Sequence, residues 1–332
     1  MLRRRSPKRI RGQVSPQAQA TAELVFAGVL WGFGFIATVW ALGAMAPLSL
    51  TGWRFVVAAV IGFAICWARP SIRRHLSKEQ FWLAAPPGLL LAALLVFQTW
   101  GLKYTTATKS SFITTLYVLM VPLLESTWLK RRLSLVHYIA VAAALVGTLF
   151  ICDLPGELSG ELASELAGER TLGASDEASR AALAKLGLNL GDLLTFIASV
   201  FASIHIVWFG VIQRKIKDPF VFNTFQSFWA GVIPLMLALA FEPLPNLHAS
   251  TQAWIGFLSL SLGSTLIAFA LQVRAQKILS PSLASLLFLL ESPFATFFAV
   301  LFLSESLQTH QWLGAGLILL AAGLSTAIAT ED

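Results

Sequence analysis

Charged residues are scarce in this chain of 332: Asp, Glu, Lys and Arg together make up 12%, about half the share usual in a soluble domain. Too little charge is present to coat a water-facing surface, which excludes the soluble globular classes. Cysteine is nearly absent, with Cys66 and Cys152 alone. The topology read below sets these two thiols on opposite faces of a bilayer, so neither a disulfide nor a Cys-based metal site is expected. No G-x-x-x-x-G-K-[ST] loop occurs, so ATP drive would need another subunit. H-E-x-x-H, G-x-S-x-G and paired intramembrane carboxylates are also missing, which argues against an enzyme and leaves no cofactor to expect.

Apolar side chains, by contrast, are abundant: 56% of the residues, with a mean hydropathy of +0.73. A transmembrane helix needs about 20 mostly apolar residues, and ten such runs stand between charged or Pro-rich punctuation. They fall at 24–42, 50–68, 81–101, 108–129, 135–152, 190–212, 220–241, 252–272, 280–303 and 309–329. Because backbone groups in hydrocarbon must pair within their own segment, runs this long and continuous predict helices and not alternating barrel strands. The expected fold class is an all-α membrane protein with ten transmembrane helices.

Lys and Arg give the orientation. With the N-terminus inside, the inner segments carry Arg3 to Arg11, Arg69 to Lys78, Lys130 to Arg132, Arg214 to Lys217, and Arg274 with Lys277. The outer segments carry only Lys103, Lys109, Arg170, Arg180 and Lys185. This bias places both termini in the cytoplasm of a multi-pass protein, by default in a bacterial inner (plasma) membrane. The basic tail, residues 1–20, then reads as a lipid-touching anchor with no nucleic-acid partner. The first apolar run is of transmembrane length and no small-x-small site directly follows it, so it reads as a retained span.

The longest break, residues 153–188, carries Glu157, Glu161, Glu165 and Glu169 beside Leu158, Leu162 and Leu166. It is an acidic outer linker, whose glycines weaken any helix there. It divides the helices five and five, and an odd number per half makes the second half enter the bilayer from the opposite side, so similar halves would be inverted repeats. Sliding the chain on itself by 174 residues pairs Lys103 with Lys277, Ser111 with Ser285 and Leu116 with Leu290. In so apolar a chain these identities suggest a repeat without establishing one.

Five stretches carry a family resemblance: "LWGFGF" (Leu30 to Phe35), "WRF" (Trp53 to Phe55), "GLKYTTAT" (Gly101 to Thr108), "GDLLTFIASVFASIHIV" (Gly191 to Val207) and "LESPFATFFAVLFLSESL" (Leu290 to Leu307). In this order and spacing they resemble the drug/metabolite transporter superfamily, EamA type. The resemblance implies two inverted five-helix repeats, residues 21–152 and 189–330, that move a small metabolite by alternating access around a central cavity. It implies an amino acid or related compound as substrate, with export favoured. Many relatives carry a Gly-Glu pair after the fourth helix; here Lys130, Arg131 and Arg132 stand there, and Ser304 with Glu305 echo the pair in the second half.

Within the spans, Glu291 is the residue that most needs a reason. An ionised acid at bilayer depth costs several kcal/mol or more and is tolerated mainly beside a cavity or a partner. It could bind a substrate cation, carry a coupling proton, or pair with backbone freed by Pro293, which is expected to kink the helix as a hinge. Ser285, with Ser292 and Thr296, forms a hydroxyl stripe that either lines a path or bonds helices together. His205 is the lone intrasegment histidine, and Trp208 lies one turn beyond it. Trp31 and Phe35 share a face of the first helix and could stack on a flat substrate. Gln98 and Tyr117 bring hydrogen-bonding groups where water is absent; Gln226 and Gln272 are weaker candidates. Arg54, near the outer end of the second segment, is expected to snorkel to the interface. Gly28 and Gly32 make a GxxxG pair read as internal packing.

The function expected is a secondary transporter of a small organic metabolite. A coupled proton and passive movement stay open, as do monomer and homodimer. A non-transporting structural or assembly protein is the alternative, and a membrane-embedded enzyme a weaker one.

Overall fold

A computed structural model describes residues 15–128, 135–151 and 189–329. The basic tail, Lys130 to Arg132, Cys152 and the acidic linker lie outside the described residues. Among those described, the chain is helical throughout, with no strand.

In the first half, α1 (Pro16–Ala41) and α2 (Pro47–Ala68) are continuous, and α3 (Pro70–Arg73) is a short turn after them. Then α4 (Lys78–Leu83) bends at Ala84 into α5 (Ala85–Gly101), α6 (Ala107–Thr114) leads into α7 (Tyr117–Trp128), and α8 (Leu135–Ile151) follows. The second half holds α9 (Leu190–Ile212) and α10 (Pro219–Phe241). Next comes α11 (Thr251–Leu258), which runs through a π-helical stretch (Ser259–Ala268) into α12 (Phe269–Ala275). The last elements are α13 (Pro281–Phe288), α14 (Glu291–Leu303) and α15 (Thr309–Ala329). Seven of these helices or joined helix pairs are long and apolar enough to cross a membrane. The remaining three, α8, α13 with α14, and α15, stand where the other apolar runs were read.

Two expected continuous helices are interrupted. Between α6 and α7, Leu116 N donates to Ile113 O at 3.2 Å and Val118 N to Thr115 O at 3.0 Å. Between α13 and α14, Leu290 N donates to Leu287 O at 3.3 Å and Ser292 N to Leu289 O at 3.2 Å. Each is a tight i to i+3 turn, and the second lies 174 positions after the first. Four pairs of helix starts keep the same offset, Pro16 and Leu190, Ala107 and Pro281, Tyr117 and Glu291, Leu135 and Thr309, while Pro47 with Pro219 and Lys78 with Thr251 fall one or two residues short of it. The local causes differ. At the first turn, Thr114 and Thr115 fold their hydroxyls back on Ser110 O and Phe112 O, both at 2.8 Å, competing with the helical ladder. At the second, Pro293 cannot donate to Leu289 O, and the turn takes that carbonyl for Ser292 N instead. The two turns touch: Ser292 Oγ donates to Ser111 O at 3.0 Å and lies 3.3 Å from Thr115 Oγ1.

Small residues allow the close helix crossings. A Cβ on Gly32 would stand 2.6 Å from Phe294 Cβ and 2.9 Å from Ala295 N, so the GxxxG pair packs α1 onto α14 inside the chain. At the expected outer face, carboxylates from the second half cap helices of the first. Glu242 accepts from Leu48 N at 3.0 Å and Ser49 N at 2.7 Å, and Glu305 from Ala107 N at 2.8 Å and Thr108 N at 3.1 Å. Anionic oxygens at a helix N-terminus satisfy donors that have no partner within the helix. Asp192 accepts from Thr105 Oγ1 at 2.6 Å on the same face. The opposite face carries the pair of Arg274 with the largely buried Glu23 and the exposed pair of Lys217 with Glu79, the latter contributing little to stability.

Glu305 reaches its place because Ser304 turns the chain with φ of 56°, the one left-handed non-glycine backbone among the described residues. That conformation costs an L-residue about 1–2 kcal/mol. Replacing Ser304 by Gly is therefore expected to raise the thermal unfolding midpoint by about 1–3 °C. Thermal unfolding of the detergent-purified protein checks this; a lowered midpoint would show that the serine itself holds the turn.

Candidate functional site

A cavity opens in the middle of the bundle between residues of both halves. Glu291, His205, Trp31, Phe35, Gln98 and Tyr117 all line it, although they lie far apart in the sequence.

Its wall is aromatic and fixed. Trp31 Nε1 donates to Ser264 O at 3.1 Å, and Ser264 Oγ donates to Leu30 O at 3.0 Å. Ser264 belongs to the π-helical stretch, where the wider turn releases carbonyls from their usual partners. The indole then stands edge-on to Phe288 with centroids 5.2 Å apart, and 5.2 Å from Phe269. Phe288 continues the wall to Tyr117 at 6.4 Å, and Phe269 is backed by the buried ring of Phe55 at 6.2 Å.

Polar groups stand at intervals in this wall. Glu291 opens α14 directly after the interrupted turn and is 9% exposed, facing the cavity. Tyr117, at the equivalent place after the other turn, is buried with its hydroxyl beside Glu291. His205 Nε2 lies 3.4 Å from Gln226 Oε1. Gln98 Nε2 donates to Thr114 Oγ1 at 3.1 Å, at the end of α6. Gln272 also lines the cavity, and its Oε1 is buried without a partner. An amide oxygen left unpaired in a membrane interior costs roughly 1–3 kcal/mol.

Three of the sequence candidates stand elsewhere. Trp208 packs against Trp128 at 6.2 Å, away from the cavity. Ser285 is fully buried in the packing of α13, because the turn at Leu289 and Leu290 breaks the hydroxyl stripe that a continuous helix would have made. Pro293 lies in the first turn of α14, two residues beyond Glu291.

Arg54 corrects the sequence reading. It does not snorkel: it is 4% exposed, its Nε donates to Thr265 Oγ1 at 2.9 Å, and its guanidinium lies 5.4 Å from the Phe55 ring centre, on the cavity. Reading the helix from residue 50 set the arginine about one turn from the interface. The helix starts at Pro47, adding most of a turn, and Pro47 at that first position was the signal available. Among the described residues no cluster of His, Cys, Asp and Glu is suited to hold a metal.

The indole hydrogen bond yields a prediction. Trp31→Phe keeps an aromatic ring but strands Ser264 O, and is expected to cost about 1–2 kcal/mol, read as a lower thermal midpoint. An unchanged midpoint would mean that water or a shifted side chain replaces the donor.

The model of the EamA-like transporter family matches the chain twice, over residues 22–152 and 189–327. An "uncharacterized transporter" of Archaeoglobus fulgidus is 27% identical over 305 residues, spanning 90% of this chain and 82% of that protein. The "uncharacterized transporter YoaV" of Bacillus subtilis is 23% identical across 87% of this chain and 90% of its own length. A crystal structure at 20% identity shares the fold, with a TM-score of 0.65 over 94% of this chain and 98% of the other.

Proposed function

The chain belongs to the EamA-like transporter family, and we propose that it is a secondary transporter which moves a small organic metabolite, an amino acid or related compound, by alternating access. It is a multi-pass membrane protein of transporter kin. Export is the favoured direction. The observation that carries the proposal is the central cavity, walled by both halves and lined by an acid, a cation and hydrogen-bonding groups on an aromatic surface.

Ten spanning helices in two inverted five-helix repeats, 21–152 and 189–330, are part of the same reading. Supporting it are the two separate family matches and the 174-residue offset shared by four pairs of helix starts and by both interrupted turns. Five spans per half require the halves to be inverted. The excess of Lys and Arg on one side supports cytoplasmic termini and a plasma-membrane location. Broken helices that meet at their breaks supply elements able to rearrange about the cavity, with Pro293 in the turn of one.

Glu291 is the acid that substrate or proton would meet. Its position directly after one interrupted turn couples its surroundings to any change in that turn. A proton exchanged at Glu291 would be carried across as the cavity changes the face it opens to.

The test uses purified protein in liposomes loaded with a mixed pool of amino acids, nucleosides and other small metabolites, and follows by mass spectrometry what leaves. Wild type is expected to release one compound class selectively. If Glu291 carries the coupling proton, a pH gradient speeds release and Glu291→Gln abolishes that acceleration with the protein still folded. Release no faster than from protein-free liposomes, with a widened pool as well, would overturn transport in favour of a structural role.

A further inference from the structure

We propose that Arg54 is the anion-recognition residue of the central cavity and that the transported metabolite carries a carboxylate. The inference rests on reading that cavity as the substrate site.

Arg54 stands two turns inside α2 and is almost wholly buried. A guanidinium has five N–H donors in a planar fork, and here only Nε has a protein acceptor, Thr265 Oγ1. The two terminal nitrogens hold no protein hydrogen bond, and neither is sealed from the cavity. No carboxylate pairs with Arg54 among the described residues; Glu291 lines the same cavity without forming an ion pair with it. Taking a cation out of water costs several kcal/mol unless something compensates. A purely structural arginine meets that cost by saturating its fork with carbonyls or an acid. This one holds its fork open toward the cavity.

The supporting layer orients that fork. Thr265 belongs to the π-helical stretch, and Asn223 of α10 donates through Nδ2 to Leu266 O at 3.2 Å, holding a carbonyl of the same turn. With Nε tied to Thr265 and Phe55 under the plane, the terminal nitrogens are pre-positioned, as bidentate recognition requires.

The chemistry selects a carboxylate. Arg54 is the single Lys or Arg on the cavity, enough for one negative charge presented by two oxygens, while a phosphate dianion would bring a second charge with no cation to meet it. Beside Arg54 the cavity is walled by Phe269, Trp31, Phe288 and Tyr117, so the ligand's body lies on apolar rings.

The experiment compares each acid with its primary amide, which keeps the shape but loses the negative charge and one of the two acceptor oxygens. Detergent-purified protein is titrated with L-phenylalanine against L-phenylalaninamide, and L-leucine against L-leucinamide, using the thermal midpoint as the measure of binding. The acids are expected to raise the midpoint at concentrations about 10- to 100-fold below those their amides need. Arg54→Gln should abolish that difference. Arg54→Lys, which keeps charge and bulk without the fork, should shrink it about tenfold and decides the matter if the glutamine variant does not fold. Equal shifts by acid and amide, no shift from either acid, or a preference that survives both substitutions would overturn the proposal. Liposome flux of the same compounds separates the two readings. Arg54-dependent binding without flux sinks the transporter reading and leaves Arg54 standing, whereas flux that ignores Arg54 sinks only the role given to the arginine.

Discussion

A polar group in the middle of a membrane span has no water to fall back on, and every unusual feature of this structure follows from how such groups are paired. Where the helical ladder is intact the backbone satisfies itself. Where it is interrupted, side chains take over: Thr114, Thr115 and Ser292 at the two tight turns, Asn223 and Trp31 at the π-helical stretch. Polar side chains also gather on one cavity. Tyr117, Gln272, Arg54 and Glu291 all line it, and the terminal nitrogens of Arg54 have no protein acceptor there.

The same constraint links local irregularity to the proposed motion. A helix that keeps its ladder is stiff along its length; one that trades it for a turn of i to i+3 bonds has a place at which to bend. Here the two turns lie against each other and each is followed at once by a cavity residue, Tyr117 in one half and Glu291 in the other. A change of angle at the turns would move those groups directly. The carboxylate caps from Glu242 and Glu305 tie the halves together at one face, and they are bonds that opening of that face would have to break.

Much of this was legible in the sequence. Apolar length predicted helices over every run, and the conspicuous cost of Glu291 pointed to the cavity without a structure. Six of the eight residues chosen for polarity or aromatic character in a span do line it. The failures have physical reasons. Ser285 was placed by assuming an unbroken helix, and the interruption at Leu289 rotates its stripe away. Trp208 satisfied a one-turn spacing from His205 but points into packing with Trp128. Arg54 was set too close to water because hydropathy finds the apolar stretch and not the Pro47 that starts the helix one turn earlier. The proposed repeat was nearly invisible in side chains, since an apolar chain matches itself by chance; what supports it is the 174-residue offset of four helix starts and of the two interrupted turns.

The central claim, that these buried groups face a water-filled cavity and not dry packing, is tested most directly by thiol accessibility. In a background with Cys66 and Cys152 replaced by serine, Gln98→Cys and Ser285→Cys would be exposed in sealed vesicles to a charged, membrane-impermeant thiol reagent, applied to each face in turn. The account predicts modification of Gln98→Cys from at least one face and none of Ser285→Cys. Protection of Gln98→Cys from both faces, or equal labelling of the two positions, would contradict it.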